Sequence, residues 1–527
     1  MRKQHADVIV IGGGLGGCMA ALSAAKMGLT VIMTEETDWI GGQLTSQAVP
    51  PDEHQWIEQF GSTATYREFR RRVREYYKQN YPLTKTAMED PLLNPGNGWV
   101  TRLAHEPKVA LHILEQMLAP YVNGGKLTIQ YHYVAEEAEV KDDVVQSITV
   151  RQLHSHEKIQ LTGSYYIDAT ECGDVLPLAG VEYVTGAESK DDTGEPHALD
   201  EADPMDMQAI THVFAVDYID GADFTIEKPE QYDFWKDFVP SYSNYPLLSW
   251  HAVNSQDTTT LREFTMFPND QDIPALFTYR RVLDFNNLEK PIYDGDLSLI
   301  NWPQNDYFLG PIIDVSETER KKNLENARQL SLSLLYWLQT EAPRLDGGKG
   351  YPGLRLNNEA LDTEDGLAKY PYIRESRRIK AVQTITEMDV SKELRGEKGI
   401  RTYSDSVGVG SYHLDLHHTT NSNRTFYIPS YPYEIPLGAL LPIRVKNLLP
   451  ACKNIGTTHI TNGCYRLHPT EWNIGESVGY LVSFAITNKV GVHDVRADAN
   501  LLTSYQKLLQ ENGVQIHWPD GTELAGG

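Results

Sequence analysis

The feature of this chain that most constrains its fold is the stretch DVIVIGGGLGGCMAALSAAKMGLTVIMTEE, residues 7–36. Its β-branched start predicts a buried parallel strand, and LTVIMTE predicts a second one, which ends at Glu35. Between the two strands, three glycines have the G-x-G-x-x-G spacing: Gly12, Gly14 and Gly17. Such glycines allow a tight turn, a close approach of the backbone to a pyrophosphate and close helix packing, while the acidic residue binds a ribose. The stretch therefore predicts a dinucleotide-binding βαβ unit.

The alternative for the same stretch is a signal peptide or membrane anchor, because it carries no charge from Val8 to Ala25 and follows Arg2 and Lys3. Three features argue against it. Asp7 would lie in the basic region, five glycines weaken an apolar helix, and no small-residue cleavage site is followed by a polar start. No other segment is long and apolar enough to cross a bilayer, so we expect a soluble protein with no membrane segment.

The charge and the cysteines narrow the class of protein further. The 527 residues carry a formal net charge of -25, and nucleic-acid binders need lysines and arginines that face phosphates. We therefore expect no nucleic-acid partner, and we interpret the basic patch YREFRRRVREYYK (66–78) as the solvated face of an amphipathic helix. The four cysteines are scattered without a C-x-x-C, which predicts no zinc knuckle, no local iron–sulfur run and no disulfide framework. A reducing, cytoplasmic location fits this pattern.

Three later segments favour FAD over NAD as the dinucleotide. TDWIGGQLTSQ (37–47) follows the second strand, and its Gly-Gly lets the chain pass close to a planar group. The segment 163–181 predicts a strand that ends in Asp168-Ala169-Thr170. The segment 447–486 predicts a strand, a loop and a helix that opens at Ile474-Gly475-Glu476.

With these segments the chain resembles the FAD-dependent oxidoreductases of the glutathione-reductase-like fold. It is most similar to the branch that includes the heterodisulfide-reductase A-like flavoproteins. The elements more particular to that branch are IGGQLTSQ, IDATECGD, WPQNDY, YIRESRRI and IGESVG. The resemblance implies an α/β fold, in which a Rossmann-like FAD-binding domain is built from discontinuous segments and carries an inserted α+β substrate domain. We expect FAD to be bound non-covalently.

The resemblance also implies which residues hold FAD. Gly12, Gly14 and Gly17 would hold the pyrophosphate and Glu35 the adenosine ribose. The remaining positions are Gly42 and Gln43 on the flavin side, Val134 near the adenine at the end of the strand LTIQYHYV, Ala169 and Thr170 as the second FAD contact, and Gly475 and Glu476 at a helix N-terminus that points at the isoalloxazine ring. The family usually has Gly where this chain has Glu171.

Larger relatives in this branch carry iron–sulfur motifs, which this chain lacks, and no second G-x-G-x-x-G has a βαβ context. We therefore expect no built-in NAD(P)H domain. The electrons of the flavin would come from the substrate or from a separate protein partner.

The predicted domain organisation is discontinuous. We expect the first part of the FAD-binding domain at 1–190 with a helical excursion at 51–99, an inserted substrate domain at 191–434, the C-terminal part of the FAD-binding domain at 435–490, and a C-terminal helix and strand at 491–527. Within the insert, 315–341 predicts an amphipathic helix with Ser316 and Glu319 as a capping box.

Candidate catalytic groups lie in the segment before the predicted helix that opens at Ile474-Gly475-Glu476. His459, Arg466 and His468 supply bases near neutrality and a cation for a carboxylate or the flavin edge, with loop-bonded structural roles as the alternative. The segment YHLDLHH (412–418) places His413, Asp415 and His417 on one face of a strand, which is more typical of a polar surface than of a metal site. We expect no metal.

For substrate binding the sequence indicates Arg374, Trp302 and Tyr307. Arg374 lies in IRESRR, which is either an anion clamp or an ion-paired structural strand. The insert is rich in aromatic residues, which suit a hydroxylated, sugar-like ligand or else form a core. We expect a hydride transfer between a small organic substrate and flavin N5. The alternatives are an ene-reductase or fumarate-reductase-like flavoenzyme and an electron carrier that serves a protein partner.

Overall fold

The computed structural model of the chain describes residues 2–255 and 257–522. Its strands are β1 Arg2–His5, β2 Val8–Ile11, β3 Val31–Glu35, β4 Leu127–Tyr131, β5 Tyr133–Lys141, β6 Val144–Gln152, β7 Lys158–Thr162, β8 Tyr165–Asp168, β9 Tyr183–Val184, β10 Ile210–Thr211, β11 Phe214–Tyr218, β12 His251–Asn254, β13 Asp257–Glu263, β14 Arg281–Leu283, β15 Leu297–Ile300, β16 Asp306–Tyr307, β17 Leu354–Leu356, β18 Arg378–Ile379, β19 Ser406–Gly410, β20 Leu414–Leu416, β21 Phe426–Ile428, β22 Tyr433–Pro436 and β23 Leu448–Pro450.

The helices follow the same chain order. They are α1 Leu15–Lys26, α2 Ala64–Asn80, α3 Lys85–Glu89, α4 Pro107–Asn123, α5 Val175–Leu178, α6 Lys190–Thr193, α7 Tyr232–Asp237, α8 Glu317–Thr340, α9 Asn358–Leu361, α10 Glu387–Val390, α11 Lys392–Arg395, α12 His459–Tyr465, α13 His468–Asn488, α14 Val492–Ala497 and α15 Ala499–Glu511.

A parallel five-stranded sheet forms the centre of the molecule, with strand order β23-β8-β2-β3-β4. The first βαβ unit, β2-α1-β3, is the one that the glycine stretch predicts. Its strands are buried along their whole length, as expected for parallel strands covered on both faces. Segments from both ends of the chain thus build one sheet, and the α/β fold with a Rossmann-like unit is confirmed.

Helices α1 and α13 pack together unusually closely, because small residues line their contact. A Cβ atom on Gly475 would lie 2.2 Å from the carbonyl oxygen of Gly16, and one on Gly479 would lie 2.4 Å from that of Ala20. The C-terminal segment is thereby held against the helix that follows the glycine loop. This packing brings the first turn of α13 to the N-terminus of α1.

Among the described residues, two four-stranded sheets and five two-stranded ones accompany the parallel sheet. The order β1-β7-β6-β5 forms a second sheet beside the parallel one, and β14-β15-β11-β17 forms an antiparallel sheet in the middle of the chain. Helix α8 packs on the antiparallel sheet through Ala327, Leu330, Leu334 and Leu338, part of the stripe that its sequence predicts. Ser316 caps α8 by accepting a hydrogen bond from the amide of Glu319.

Several expected element boundaries are wrong. Helix α13 begins at His468 and not at Ile474, and α12 occupies part of the expected loop before it. The expected strand LTIQYHYV is divided between β4 and β5, because His132 has a φ of 63° and turns the chain into the second sheet. After the left-handed Gly513, residues 514–522 form no strand; residues 523–527 lie outside the described part of the chain.

Among the described residues, no helix combines the length and the apolar composition that crossing a bilayer requires. The uncharged opening stretch is divided between β2 and α1, both buried inside the protein.

Candidate active site

The glycine loop between β2 and α1 forms a cradle in which the backbone of three segments comes together. A Cβ atom on Gly12 would lie 2.3 Å from the carbonyl oxygen of Ala169, and one on Gly17 would lie 2.0 Å from that of Gly12. Gly42, with a φ of 50°, lies over the start of α1: its Cβ would be 3.0 Å from the Cα of Gly14. Only glycine fits these positions. The cradle opens at the N-terminus of α1, which favours an anion.

Glu35 lies beside this cradle, at the end of β3. Its Oε2 accepts a hydrogen bond from the amide of Gly13 at 3.0 Å, and its Oε1 accepts from the amide and hydroxyl of Thr37. Burial raises the pKa of Glu35 to about 7. The carboxyl group is therefore fixed at the end of β3, beside the glycine loop.

A buried polar cluster closes the other side of the cradle. Gln43 donates through Nε2 to the carbonyl of Arg466 at 2.9 Å and to the carboxylate of Glu471 in the first turn of α13. Its Oε1 is buried without a hydrogen-bond partner in residues 2–255 and 257–522. An unpaired buried carbonyl of this kind is costly unless a ligand satisfies it.

Glu171 is the least expected member of this cluster. Its Oε1 lies 2.8 Å from the position that a Cβ of Gly14 would take and 2.6 Å from that of Gly42. Its Oε2 is 2.5 Å from the Nζ of Lys453, whose side chain is fully buried and also lies 3.4 Å from Glu471. Thr170 fixes the turn before Glu171, since its amide and hydroxyl both donate to Asp168. The carboxylate of Glu171 is thus held by a lysine at the mouth of the cradle.

A cavity of about 830 Å³ is lined by other segments of the chain. Its wall combines segments that are far apart in the sequence, from residues 53–56, 98–102, 240–247, 251–255, 258–264, 276–280, 301–306 and 411–432. Aromatic side chains in the wall include Trp56, Trp99, Tyr242, Tyr279, Trp302, Tyr412 and Tyr427. The volume is typical of a site for a small organic ligand.

His417 lies in the cavity wall with one ring nitrogen fixed. Its Nδ1 is 2.5 Å from Oδ2 of Asp306, and Arg374 contacts the other oxygen of Asp306 at 2.9 Å. Against the effect of burial, the Arg374 guanidinium holds the pKa of Asp306 well below its usual range. Because an ionised carboxylate only accepts hydrogen bonds, the proton of a neutral His417 lies on Nδ1 and Nε2 is free to accept one. Nε2 is 3.7 Å from Asp415, beyond hydrogen-bond distance.

Arg466 connects the cavity with the cradle. Its guanidinium lies 3.2 Å from Asp415 in the cavity wall and donates to the hydroxyl of Tyr372 at 2.6 Å. Its carbonyl oxygen accepts the hydrogen bond from Gln43. Against the effect of burial, His417 and Arg466 lower the pKa of Asp415 to about 2. A series of directly bonded residues, Gln43, Arg466 and Asp415, therefore connects the cradle with the cavity wall.

None of the three predicted catalytic residues belongs to the cavity wall that the described residues form, and His459 and His468 lie elsewhere. His468 is fully buried at the start of α13, where its Nδ1 accepts from the amide of Asp52, and burial lowers its pKa well below the usual value. His459 begins α12 and pairs with Glu375 at 2.9 Å. Although burial opposes it, this carboxylate raises the pKa of His459.

Of the three predicted substrate-binding residues, one lines the cavity and the other two lie behind its wall or in the core. Trp302 lines the cavity, and its indole nitrogen has no partner among the described residues. Arg374 lies behind Asp306, and Tyr307 lies in the core with its hydroxyl donating to Asn323 at 2.8 Å.

Three predicted cofactor contacts occupy unexpected surroundings. Gly475 and Glu476 lie within α13: the first packs on Gly16, and the second accepts from the hydroxyl of Thr65 at 2.5 Å. Val134 is the second residue of β5 and pairs with Arg151.

A family model described as "FAD dependent oxidoreductase" matches residues 7–509, nearly the whole chain. The chain belongs to this family. It is therefore an FAD-dependent enzyme, and the cradle fits the cofactor: glycines allow close approach of the pyrophosphate, and Glu35 and the unpaired Gln43 carbonyl offer polar partners.

Solved structures that resemble this flavoenzyme do so distantly. L-proline dehydrogenase from P. horikoshii is 15% identical, over 35% of this chain and 24% of that one, with a TM-score of 0.18. OxyS anhydrotetracycline hydroxylase from Streptomyces rimosus is 12% identical, over 96% and 66%, with a TM-score of 0.33. A geranylgeranyl bacteriochlorophyll reductase-like protein from Thermoplasma acidophilum is 12% identical, over 97% and 85%, with a TM-score of 0.33. The chain spans less than two thirds of the first two. No curated protein matches it.

Three residues that line the cavity of this flavoenzyme were not predicted from the sequence as site residues: Asp306, Arg280 and His417. Asp306 lies inside WPQNDY between the two aromatic residues that were selected, and His417 lies in the segment assigned to a polar surface. The alternation in YHLDLHH correctly places His413, Asp415 and His417 together, but on the cavity wall. Arg280 has no local signal, since only the fold brings it to the cavity.

Proposed function

We propose that the protein transfers a hydride between a small, hydroxylated substrate of about the size of a sugar and N5 of its FAD. The observation that carries this proposal is His417, fixed by Asp306 on the wall of a cavity that Asp415, Arg466 and Gln43 connect with the cofactor cradle. Aromatic side chains next to carboxylates and histidines, as in this wall, suit a polyhydroxylated ligand.

Bound FAD supplies the acceptor for two electrons and the hydrogen of a C–H bond. The protein's own task is to hold the alcohol and to remove its proton. Nε2 of His417 accepts the O–H proton while the C–H hydrogen leaves with its electron pair, so that a carbonyl is formed. Asp306 stabilises the imidazolium that results, and Arg374 keeps Asp306 in place. His417 thus replaces His459 and His468 as the proposed base, and Arg466 is proposed as the link between substrate cavity and cofactor.

The family branch, the domain organisation, the cellular location and the electron acceptor are part of the same proposal. The heterodisulfide-reductase A-like branch is supported by the motifs IGGQLTSQ, IDATECGD and IGESVG. The discontinuous FAD-binding domain with its insert at 191–434 is supported by the parallel sheet, which takes strands from both sides of that insert. We further propose a cytoplasmic protein whose reduced flavin passes electrons to a separate acceptor.

The test is anaerobic reduction of the FAD-loaded protein by a panel of sugars, sugar acids, hydroxy acids and amines. Bleaching of the flavin absorption by a hydroxylated compound, with formation of its carbonyl product, is expected. Reoxidation of chemically reduced protein by enoates, with no bleaching by any alcohol, would instead favour an ene-reductase. Electron exchange with a protein partner alone would favour an electron carrier.

A further inference from the structure

The side chains that line the cavity carry an excess of positive charge, whereas the net charge of the whole chain is negative. The chain carries a net charge of -25, yet four cationic side chains line the cavity: Arg102, Arg262, Arg280 and Lys392. Arg102, Arg262 and Lys392 form no ion pair within residues 2–255 and 257–522.

The carboxylates in the same wall are already neutralised. Each of them pairs with an arginine that lies behind the wall: Glu53 with Arg70 at 2.6 Å, Asp306 with Arg374 at 2.9 Å, and Asp415 with Arg466 at 3.2 Å. The cations that face the cavity are therefore in excess, and a low-dielectric cleft focuses such an excess on an incoming ligand.

Arg280 is the buried member of this set. It is 7% exposed, and its Nε and Nη1 are buried without a hydrogen-bond partner among the described residues. Its one ionic contact there is with Asp52, at 3.7 Å, which is longer than a direct hydrogen bond. The guanidinium also lies over the ring of Tyr279, 5.0 Å from the centroid. A buried charge so weakly paired is costly unless a ligand completes its contacts.

We propose that Arg280 binds a carboxylate of the substrate, so that the enzyme acts on a hydroxy acid of sugar size, such as a sugar acid. This inference rests on the proposed function, because it names the substrate class of the same cavity. The planar guanidinium matches a carboxylate with two parallel hydrogen bonds, which a neutral polyol cannot reproduce. The two arginines that the sequence singled out, Arg374 and Arg466, are occupied by Asp306 and Asp415.

The test compares acids with uncharged compounds of equal length on the FAD-loaded protein. Dissociation constants for gluconate and sorbitol, and for lactate and propylene glycol, are measured from the perturbation of the flavin spectrum, and the rates of flavin reduction are measured with the same compounds. The variants are Arg280→Gln, Arg280→Lys and the control Arg281→Gln. Arg281 is the neighbouring arginine, but it pairs with Asp284 and Asp296 and lies outside the cavity wall.

We expect the protein to bind at least one of the acids at least tenfold more tightly than its neutral counterpart. Arg280→Gln should weaken binding of that acid by roughly a hundredfold and leave the weak binding of the neutral compound unchanged, because a buried charged contact is lost. Arg280→Lys should retain part of the preference, and Arg281→Gln all of it.

Equal binding of acid and neutral compound, no binding of any acid, or an unchanged preference in Arg280→Gln with normal FAD content would overturn the inference. Acids that bind through Arg280 but never reduce the flavin would contradict the proposed dehydrogenation and leave the carboxylate site standing.

Discussion

At the scale of single residues, the proposed removal of the substrate's proton depends on one imidazole. His417 has Nδ1 fixed by Asp306 and Nε2 directed away from that carboxylate, next to Asp415 at 3.7 Å. A neutral histidine with one nitrogen occupied by a carboxylate is a general base of defined orientation. Its side chain is 28% exposed, so it can reach a ligand in the cavity.

Replacing His417→Asn should slow flavin reduction by the substrate about 10²- to 10⁴-fold, the usual contribution of a positioned base. FAD content and the flavin spectrum should stay unchanged, because the side chain does not contact the cradle. The rate is measured anaerobically in a single turnover, with the exposed His156→Asn as the matched control. Reduction of the His417→Asn protein at the wild-type rate would remove His417 from the mechanism.

At the scale of secondary-structure elements, the approach of α1 and α13 positions the cradle. Gly475 has no room for a methyl group, since its Cβ would lie 2.2 Å from the carbonyl oxygen of Gly16. The contact holds Glu471 at the N-terminus of α1, where its Oε1 accepts from the amide of Gly16 at 3.1 Å.

We expect Gly475→Ala to lower the free energy of unfolding by about 1–3 kcal/mol, because the added carbon forces the two helices apart. It should also weaken FAD binding, since Glu471 and Gln43 would move together. Denaturant unfolding and FAD release measure the two effects. The control is Gly28→Ala. The φ of 92° at Gly28 is unfavourable for alanine, but no atom lies within 4 Å of the added Cβ. The free energy of unfolding should therefore fall by about 1 kcal/mol, and FAD binding should persist. Normal FAD binding in Gly475→Ala would contradict this role of the packing.

Strands and turns that depend on the local sequence pattern could be predicted from the sequence. The strands β2, β3 and β8 follow from short apolar runs, and the turn after β2 follows from glycines that have no alternative at such close approach. The start of α13 was misplaced because Gly475 resembles a helix terminus, whereas Pro469 in the first turn is the stronger signal. The break between β4 and β5 depends on one residue, His132, whose backbone has a positive φ. Few residue types favour this conformation and none is excluded from it, so the sequence does not mark the break.

At the scale of the whole molecule, the cavity wall could not be predicted, since it combines segments from residue 53 to residue 432. Which arginine neutralises which aspartate is decided by the fold alone. Arg374 and Arg466 were reasonable candidates for an anion site from their local sequence, but each is bonded to an aspartate far from it in the chain.

The buried ion pairs make the stability of the whole molecule depend on acid pH. Against the effect of burial, His417 and Arg466 lower the pKa of Asp415 to about 2, and His459 and Arg378 lower that of Glu375 to about 2. Because both pKa values are lower in the folded than in the unfolded chain, their stabilisation is complete above about pH 5. It is lost as the pH falls from about 4 to 2, on the order of 2 kcal/mol for each group.

Denaturant unfolding of the FAD-loaded protein between pH 6 and pH 2 measures this loss. Asp415→Asn should flatten the acid side of the profile, while the exposed Asp270→Asn should leave its shape unchanged. Identical profiles for Asp415→Asn and the wild-type protein would show that Asp415 is not stabilised as an anion by its partners.

The most direct test of the central claim is the rate of flavin reduction by a substrate deuterated at the carbon that carries the hydroxyl, measured anaerobically in a single turnover. The account predicts that the flavin is bleached, that deuterium slows the bleaching severalfold, and that one carbonyl product forms for each flavin reduced. A flavin that no hydroxylated compound bleaches, but that a protein partner reduces readily, would contradict it.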